Sequence, residues 1–171
     1  MKNRSRIVAR CGLSAALALV LMALGSTLGV MTYVCPILCG FLILLLREDL
    51  GTKWALTVWA AVGILGVMLV PETEMLALFV GVFGWYGAVQ PGLDRLPRLL
   101  GWMIKLLLLN GTAAGVYLLL MQLMGVQDMP ESLWGWLLFL FMGNVIFLCY
   151  DLLLRRLRVT LIPRLRRRFP G

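Results

Sequence analysis

Histidine is absent from this sequence, and acidic residues are scarce. The 171 residues include only 8 aspartates and glutamates. Histidine is the commonest general base near neutral pH and the commonest metal ligand, so its absence removes much acid–base and metal chemistry. The sequence also lacks a Gly-x-Ser-x-Gly elbow and a phosphate-binding glycine-rich loop followed by lysine. We therefore expect no enzymatic activity, no cofactor and no metal.

Cysteine is also rare, and all 4 cysteines lie inside apolar stretches. Cys35 and Cys39 are spaced to share one face of a helix. Tetrahedral zinc needs four ligands, and the sequence supplies no other two beside them. We interpret the cysteines as small buried hydrophobic residues.

Charged residues make up only 14% of the chain, whereas 61% of it is hydrophobic and the mean hydropathy is +0.94. A soluble domain is typically about 45 to 50% apolar and about 25% charged. This composition predicts a protein that is embedded in a lipid bilayer.

Six apolar stretches follow one another, each near the roughly 20 residues that a helix needs to cross the hydrocarbon core. Short connections with Gly, Pro, Asp or Ser separate them. The predicted helices are 7–25, 30–46, 53–70, 74–90, 99–124 and 133–154. We therefore predict an all-α, polytopic integral membrane bundle of six transmembrane helices over residues 1–154, followed by a basic tail over 155–171. In the second helix Pro36 interrupts the hydrogen-bond ladder, and a tilted or re-entrant half-helix is the alternative there.

Basic residues occur at every other connection, and this pattern orients the chain. They are Lys2, Arg4, Arg6 and Arg10, then Arg47 and Lys53, then Arg95 and Arg98, and finally Arg155, Arg156, Arg158, Arg164, Arg166, Arg167 and Arg168. The opposite connections carry only acidic charges, at Glu72, Glu74, Asp128 and Glu131. Short loops rich in Lys and Arg are retained in the cytoplasm, so both termini are predicted to be cytoplasmic.

The N-terminus has a second interpretation. A basic start, an apolar stretch at 13–22 and small residues at 23–26 form a signal-peptide pattern. Cleavage would leave five crossings and an external N-terminus. We favour an uncleaved first helix, because its basic start then fits the orientation of the other loops.

The net charge of +8 permits two kinds of partner. Nucleic acid is one, but the basic residues lie at the ends of the predicted helices, where they commonly bind anionic lipid headgroups. We expect membrane lipids as partners and no nucleic acid. Apolar residues within the tail indicate a short interfacial helix that breaks near Pro163, and contact with a cytoplasmic protein is the alternative.

Two charged residues lie inside predicted membrane spans. Lys105 is about two turns from the cytoplasmic end of the fifth helix, and Asp151 is about one turn from the matching end of the sixth. Their similar depth predicts a structural ion pair between the two helices. The alternative is that Lys105 extends to the headgroups while Asp151 faces water.

Amide side chains also lie within these two helices. Asn110 and Asn144 are near mid-depth, where they could hydrogen-bond across the helix interface or line a pocket that opens outward. Together with Tyr117 and Gln122 they form the predicted substrate-binding set. Gly111 and Gly115 would allow a close neighbouring helix. At the outer surface Glu74 is predicted to cap the fourth helix, with binding of a cationic ligand as the alternative.

Two segments resemble a known family. RIVARCGLSAALALVLMALGS at 6–26 and GVFGWYGAVQPGLDRLPRLLGWMIKLLLLNGTAAGVYLLL at 81–120 are similar to the S components of energy-coupling factor (ECF) transporters, or to uncharacterised bacterial relatives. The resemblance implies a six-helix protein of the bacterial cytoplasmic membrane that captures a small vitamin-like ligand from outside. It also implies a membrane scaffold subunit and two ATPase subunits as partners, which supply the energy. The absence of histidine disfavours the branch that binds nickel or cobalt.

The same resemblance implies a partner-docking face on the first helix. Small residues four apart dock S components on the scaffold, and here they correspond to Gly12 and Ala16. The adjoining registers are Cys11 with Ala15 and Ser14 with Ala18. Ordinary helix packing produces the same spacing.

Two other functions stay open: a non-catalytic scaffold of the cell envelope that resembles the rod-shape protein MreD, and a protein that handles lipids or polyprenols. The interior of the protein would distinguish these two functions from each other and from ligand capture. An enclosed polar and aromatic pocket that faces outward between the fourth and sixth helices would favour ligand capture. A fully packed interior would favour a scaffold, and a lateral opening would favour lipid handling.

Overall fold

The computed structural model describes residues 2–27, 31–94, 97–124 and 133–168, and across these ranges the only regular secondary structure is helical. The chain forms six helices within them. They are α1 (Lys2–Thr27), α2 (Val34–Leu50), α3 (Thr52–Leu69), α4 (Thr73–Leu93), α5 (Arg98–Met124) and α6 (Leu133–Arg168).

Four of these helices are long and apolar enough to cross a membrane. They are α1, α3, α4 and α5. The predictions of an all-helical fold and of helices long and apolar enough to span a membrane are therefore confirmed for the described residues. Helix α2 has 17 residues, which is at the lower edge of the length that a spanning helix needs.

The predicted break in α2 is wrong. The helix begins at Val34, so Pro36 lies in its first turn, where a backbone N–H has no helical acceptor to lose. At the other end α2 continues to Leu50 and stops at Gly51, whose φ of 96° lies in the left-handed region that glycine favours. Arg47, which the sequence predicts to lie in a connection, is thus part of the helix.

Helix α4 contains a π-helical turn and extends beyond its predicted end. Its regular segments are Thr73–Leu78 and Gly84–Leu93, with the π-helical turn at Phe79–Phe83 between them. The Gly84 N–H bonds to the Phe79 carbonyl, five residues back, as a π-helix requires. The helix passes Gln90 and Pro91 and ends beside Asp94, whose N–H bonds to the Gln90 carbonyl.

The sixth helix also extends beyond its predicted end. It runs through Leu154 to Arg168 as one element, and the helix continues across Pro163, where a break was predicted. Arginine and leucine, which make up most of this segment, are good helix formers, and the helix continues through Pro163 among them.

The short helix α2 lies at the centre of the bundle. It packs against α1, α3 and α4, and Cys39 and Ile43 on it are in a core that includes Met22 of α1 and Val62 of α3. A second core joins α2 and α4 to α5 and α6 through Leu44, Tyr86, Leu109, Phe147 and Tyr150. Cys35 and Cys39 are buried as the sequence predicts, whereas Cys149 is exposed on the surface of α6.

Glycines allow α2 and α4 to approach closely. A Cβ atom added to Gly87 would lie 2.4 Å from the backbone oxygen of Gly40. A Cβ atom added to Gly40 would lie 2.6 Å from the Phe83 carbonyl oxygen and 2.1 Å from the Tyr150 hydroxyl. The Tyr150 hydroxyl donates a 3.0 Å hydrogen bond to that carbonyl, which ties α6 to the end of the π-helical turn. No other residue type fits at this crossing without moving a backbone.

We predict that Gly87→Ala lowers the melting temperature of the detergent-purified protein. Forcing a methyl group into a packed contact typically costs about 1 to 3 kcal/mol, and here the obstacle is backbone. Gly92→Ala in the same helix is the control, because an added Cβ there meets nothing within 4 Å. Thermal unfolding followed by circular dichroism measures both. Equal melting temperatures for the two variants would contradict the close crossing.

Candidate functional site

A cluster of charged and polar side chains is centred on Asp151, which is fully buried in α6. Its Oδ1 atom lies 2.9 Å from Lys105 Nζ of α5, so the structure brings the predicted ion pair together. Two residues of α4 bind the same oxygen: the Tyr86 hydroxyl donates a hydrogen bond, and Gln90 Nε2 donates another at 3.2 Å. One carboxylate therefore joins three helices.

A second carboxylate, Asp94, extends this cluster. It follows the last turn of α4, and its Oδ1 atom accepts hydrogen bonds from Lys105 Nζ at 2.7 Å and from Arg155 at 2.8 Å. Its Oδ2 atom accepts one from Arg158 at 3.1 Å. Lys105 thus bridges Asp94 and Asp151, and the C-terminal part of α6 is fastened to the end of α4.

The charges in the cluster nearly balance, and its inner part is closed to solvent. Lys105, Arg155 and Arg158 face the two carboxylates, which leaves one positive charge in excess. Lys105 and Asp151 are 1% and 0% exposed, whereas Arg155 is 40% exposed. Trp102 covers the cations, with its ring 5.7 Å from Lys105 Nζ and 5.8 Å from the Arg155 guanidinium carbon. The inner side of the cluster is therefore buried, and its arginine side is exposed.

Sequence reasoning found only two members of this cluster. The sequence places Asp94 in the connection after the fourth predicted helix. This connection lies at the same predicted membrane boundary as Lys105, which is a signal that the two side chains could meet. Tyr86 and Gln90 are one turn apart and so share a face of α4. Nothing in the surrounding apolar sequence indicates which way that face points.

The two predicted amides contact each other. Asn110 Nδ2 lies 3.4 Å from Asn144 Oδ1, and Asn144 Nδ2 lies 3.3 Å from Asn110 Oδ1. Each amide also donates to a carbonyl one turn earlier in its own helix, Leu106 or Leu140. Their polar groups are thus engaged in a reciprocal pair between α5 and α6. The side chains of Tyr117 and Gln122, the other predicted ligand residues, lie outside the described part of the chain.

The predicted small-residue features are only partly assembled. Gly12 and Ala16 are exposed on α1, but Ala15 is half-buried and packs against the core of the protein itself. On α5 an added Cβ at Gly111 or Gly115 would meet nothing within 4 Å. The described residues therefore place no close neighbour against the Gly111–Gly115 face.

The connections that precede α2 and α4 are tied together by hydrogen bonds. The Thr32 hydroxyl donates to Glu72 at 2.9 Å, and the Tyr33 hydroxyl donates to Glu74 at 3.1 Å. Burial, and then the nearby Glu74 carboxylate, raise the pKa of the Tyr33 hydroxyl. Glu74 lies in the first turn of α4, where its charge complements the helix dipole, and its side chain also holds the α1–α2 connection.

An apolar groove of about 530 Å³ lies between α3 and α4. Its lining residues are Trp59, Ala60, Gly63, Ile64, Val67, Val70, Thr73, Leu76, Ala77 and Val80. Ile64 and Val67 are 72% and 73% exposed, so the groove opens on the side of the bundle. Thr73 is its one polar lining residue apart from the Trp59 indole nitrogen. Apart from these two groups its lining is apolar.

Comparison with known proteins gives no match: no protein-family model, no curated protein and no solved structure matches the chain.

We predict that Lys105→Met destabilises the protein more than the double variant Lys105→Met/Asp151→Asn does. Removing one partner of a buried pair typically costs about 3 to 5 kcal/mol, because it leaves a charge with too few partners. The double variant removes that charge, and Asp94 keeps both of its arginines. Thermal unfolding in detergent measures the melting temperatures of the two variants, and Lys53→Met, at an exposed position, is the control. A double variant less stable than Lys105→Met would contradict the pairing.

Proposed function

We propose that this protein is a non-catalytic membrane protein that binds the hydrocarbon chain of a lipid, acyl or polyprenyl, in the groove between α3 and α4. The observation that carries the proposal is the groove itself, which is apolar and opens laterally. A lateral opening distinguishes lipid handling from the capture of a polar ligand in an enclosed pocket. It also distinguishes lipid handling from a fully packed scaffold.

The length of the groove matches one leaflet of a bilayer. Its lining on α3 and the residue that follows it runs from Trp59 to Val70, which at about 1.5 Å per residue spans about 17 Å. Half of a hydrocarbon core is about 15 Å thick. A single chain that lies along α3 would therefore reach from mid-membrane to one interface.

The polar end of the groove lies where a headgroup would be. Thr73 lines the groove at the start of α4, and Glu72 and Glu74 flank it in the sequence. With the orientation proposed below, this end faces outward. The bound chain would then belong to a lipid of the outer leaflet.

We predict that Ala77→Phe removes the bound lipid, because a phenyl ring fills the space that the chain occupies. Met68→Phe is the matched control: Met68 is on the outer half of α3, is 86% exposed and does not line the groove. Protein purified in mild detergent would be analysed by native mass spectrometry for retained lipid. Wild type and Met68→Phe should retain one lipid class enriched over its share of the membrane, and Ala77→Phe should not. Equal retention in all three, or lipid in bulk proportions, would contradict specific binding.

The finer topology belongs to the same proposal: six crossings of a bacterial cytoplasmic membrane with both termini inside. Support comes from the cluster, in which Arg155 and Arg158 of α6 contact Asp94 at the end of α4. The basic end of α6 therefore lies beside the end of α4, after which the sequence carries the basic residues Arg95 and Arg98, and the positive-inside rule assigns both segments to the cytoplasm.

We predict that Pro71→Cys reacts with a membrane-impermeant maleimide in intact cells, whereas Asp49→Cys reacts only after permeabilisation. Both positions are exposed, and they lie at opposite ends of α3. The labelling would use a variant in which the four native cysteines are replaced by serine or alanine. A cysteine appended to either terminus should behave like Asp49→Cys. Labelling of either terminus in intact cells would overturn the topology.

Capture of a vitamin-like ligand for an ECF scaffold and two ATPases stays a prediction that rests on the resemblance. Asn110 and Asn144 engage each other, and this favours an interhelical role for them over ligand binding. The exposed Gly12 and Ala16 remain available for a partner helix, in a transporter or in an envelope scaffold. Affinity purification in mild detergent, with identification of the co-purifying proteins, distinguishes a transporter subunit from an envelope scaffold.

A further inference from the structure

Two arginines of α6 form the exposed side of the charged cluster, next to Asp94. Arg155 Nη2 lies 2.8 Å from Asp94 Oδ1, and Arg158 Nη2 lies 3.1 Å from Asp94 Oδ2. The Asp94 side chain is only 12% exposed, whereas those of Arg155 and Arg158 are 40% and 27% exposed. The cluster therefore presents guanidinium groups to its surroundings more than it presents the carboxylate.

Other contacts hold these two guanidinium groups in place. They bind different oxygens of one carboxylate, and Arg155 and Arg158 are three residues apart on one face of the helix, so the two groups are neighbours. Arg155 Nε also lies 3.2 Å from Asp151 Oδ2, and the Trp102 ring covers the same guanidinium. The donors are thus ordered before a ligand arrives, and this reduces the entropy that binding would cost.

The charge and the remaining donors of the pair select an anion. The carboxylates contact Nη2 and Nε of Arg155 and Nη2 of Arg158, whereas a guanidinium has further N–H donors on Nη1. Together with Lys105, the two arginines give the cluster one more positive charge than Asp94 and Asp151 neutralise. A planar guanidinium matches the oxygen atoms of a phosphate group. Two adjacent ones therefore suit a phosphate.

The depth of the pair identifies the source of the phosphate. The apolar span of α4 ends at Leu93 and that of α5 begins at Leu99, so Asp94 lies just outside the hydrocarbon core. Trp102 is one turn inside α5, and tryptophan is enriched at membrane–water interfaces. Phosphates at this level of a bilayer are those of lipid headgroups.

We propose that Arg155 and Arg158 form a binding site for the phosphate of an anionic phospholipid in the leaflet beside the end of α4. The site differs from the general attraction of basic segments to anionic membranes, because it depends on two particular residues and not on the total charge. It is also separate from the apolar groove, whose polar end lies at the start of α4. The two lipids would lie in opposite leaflets of a bilayer that α4 crosses.

Native mass spectrometry with added lipid tests the site. Full-length Ala77→Phe protein would be used, so that a lipid in the groove does not contribute to the signal. After removal of native lipid in detergent, it would receive equal amounts of anionic phosphatidylglycerol and zwitterionic phosphatidylcholine. We expect phosphatidylglycerol to be enriched several-fold over phosphatidylcholine in the complex with one bound lipid. Equal binding of the two lipids would overturn the proposal.

Arg158→Gln and Arg156→Gln form a matched pair of variants, because each removes one positive charge from the same segment. Arg156 is exposed and forms no ion pair within the described part of the chain. The enrichment of phosphatidylglycerol should be lost in Arg158→Gln and kept in Arg156→Gln. Equal enrichment in the two variants would show that only total charge matters and would overturn the site.

Two further measurements complete the test. Inorganic phosphate, compared with chloride at the same ionic strength, should leave phosphatidylglycerol bound, and its displacement would overturn the assignment to a lipid. If circular dichroism shows that Arg158→Gln is not folded, Arg158→Lys replaces it. Lysine keeps the charge beside Asp94 but lacks the planar fork that can bind a carboxylate and a phosphate together, so the enrichment should again fall. Unchanged enrichment in Arg158→Lys would overturn the proposal.

Discussion

The buried carboxylate of Asp151 is the constraint on which the arrangement of α4, α5 and α6 depends. A charge away from water is expensive unless it is paired and hydrogen-bonded, so each of these helices must present its donor at one depth and in one orientation. Tyr86 and Gln90 orient α4, and Lys105 orients α5. Lys105 also forms an ion pair with Asp94. Asp94 in turn binds Arg155 and Arg158, and these two ion pairs fix the direction of the C-terminal part of α6.

Polar contacts are especially important for α5 and α6, because lipid provides no hydrophobic force that brings helices together. Around the central helix α2, the first four helices pack through glycine crossings and a continuous core. On α5, added Cβ atoms at Gly111 and Gly115 meet nothing within 4 Å, and the same holds at Gly143 of α6, although Val116 of α5 packs closely against Gly81 of α4. Along their described lengths these two helices are held by the cluster, the reciprocal amides and a few buried residues such as Leu109 and Phe147.

The features that sequence could predict are those fixed by distance along a helix. The proximity of Lys105 and Asp151 could be predicted because a constant rise per residue, counted from a shared predicted membrane boundary, gives the position of a residue along the helix axis. Rotation about the axis is different, since a helix with apolar residues on every side carries no sign of which face is buried. The roles of Tyr86 and Gln90 could therefore not be predicted, and neither could the inward position of Ala15.

Boundaries were predicted less well, and prolines are the reason. Pro36 suggested a broken helix, but its effect depends on where the first turn falls, which three-dimensional packing decides. Pro91 and Pro163 likewise lie in helical segments that continue past them. The π-helical turn at Phe79–Phe83 has no sequence signal of its own. It lies where Gly84 packs tightly against Trp59 and where the Phe83 carbonyl receives the Tyr150 hydroxyl.

The groove and the charged cluster lie at different depths, and this separation bears on what the protein can do. The groove follows α3 toward the start of α4, whereas the cluster lies at the far end of α4 beside Asp94. A lipid chain in the groove would therefore not reach the buried charges. Helix α4 links the two regions, because Val80 lines the groove within the same π-helical turn whose last carbonyl, that of Phe83, binds Tyr150 of α6. The π-helical turn is therefore in contact with both regions.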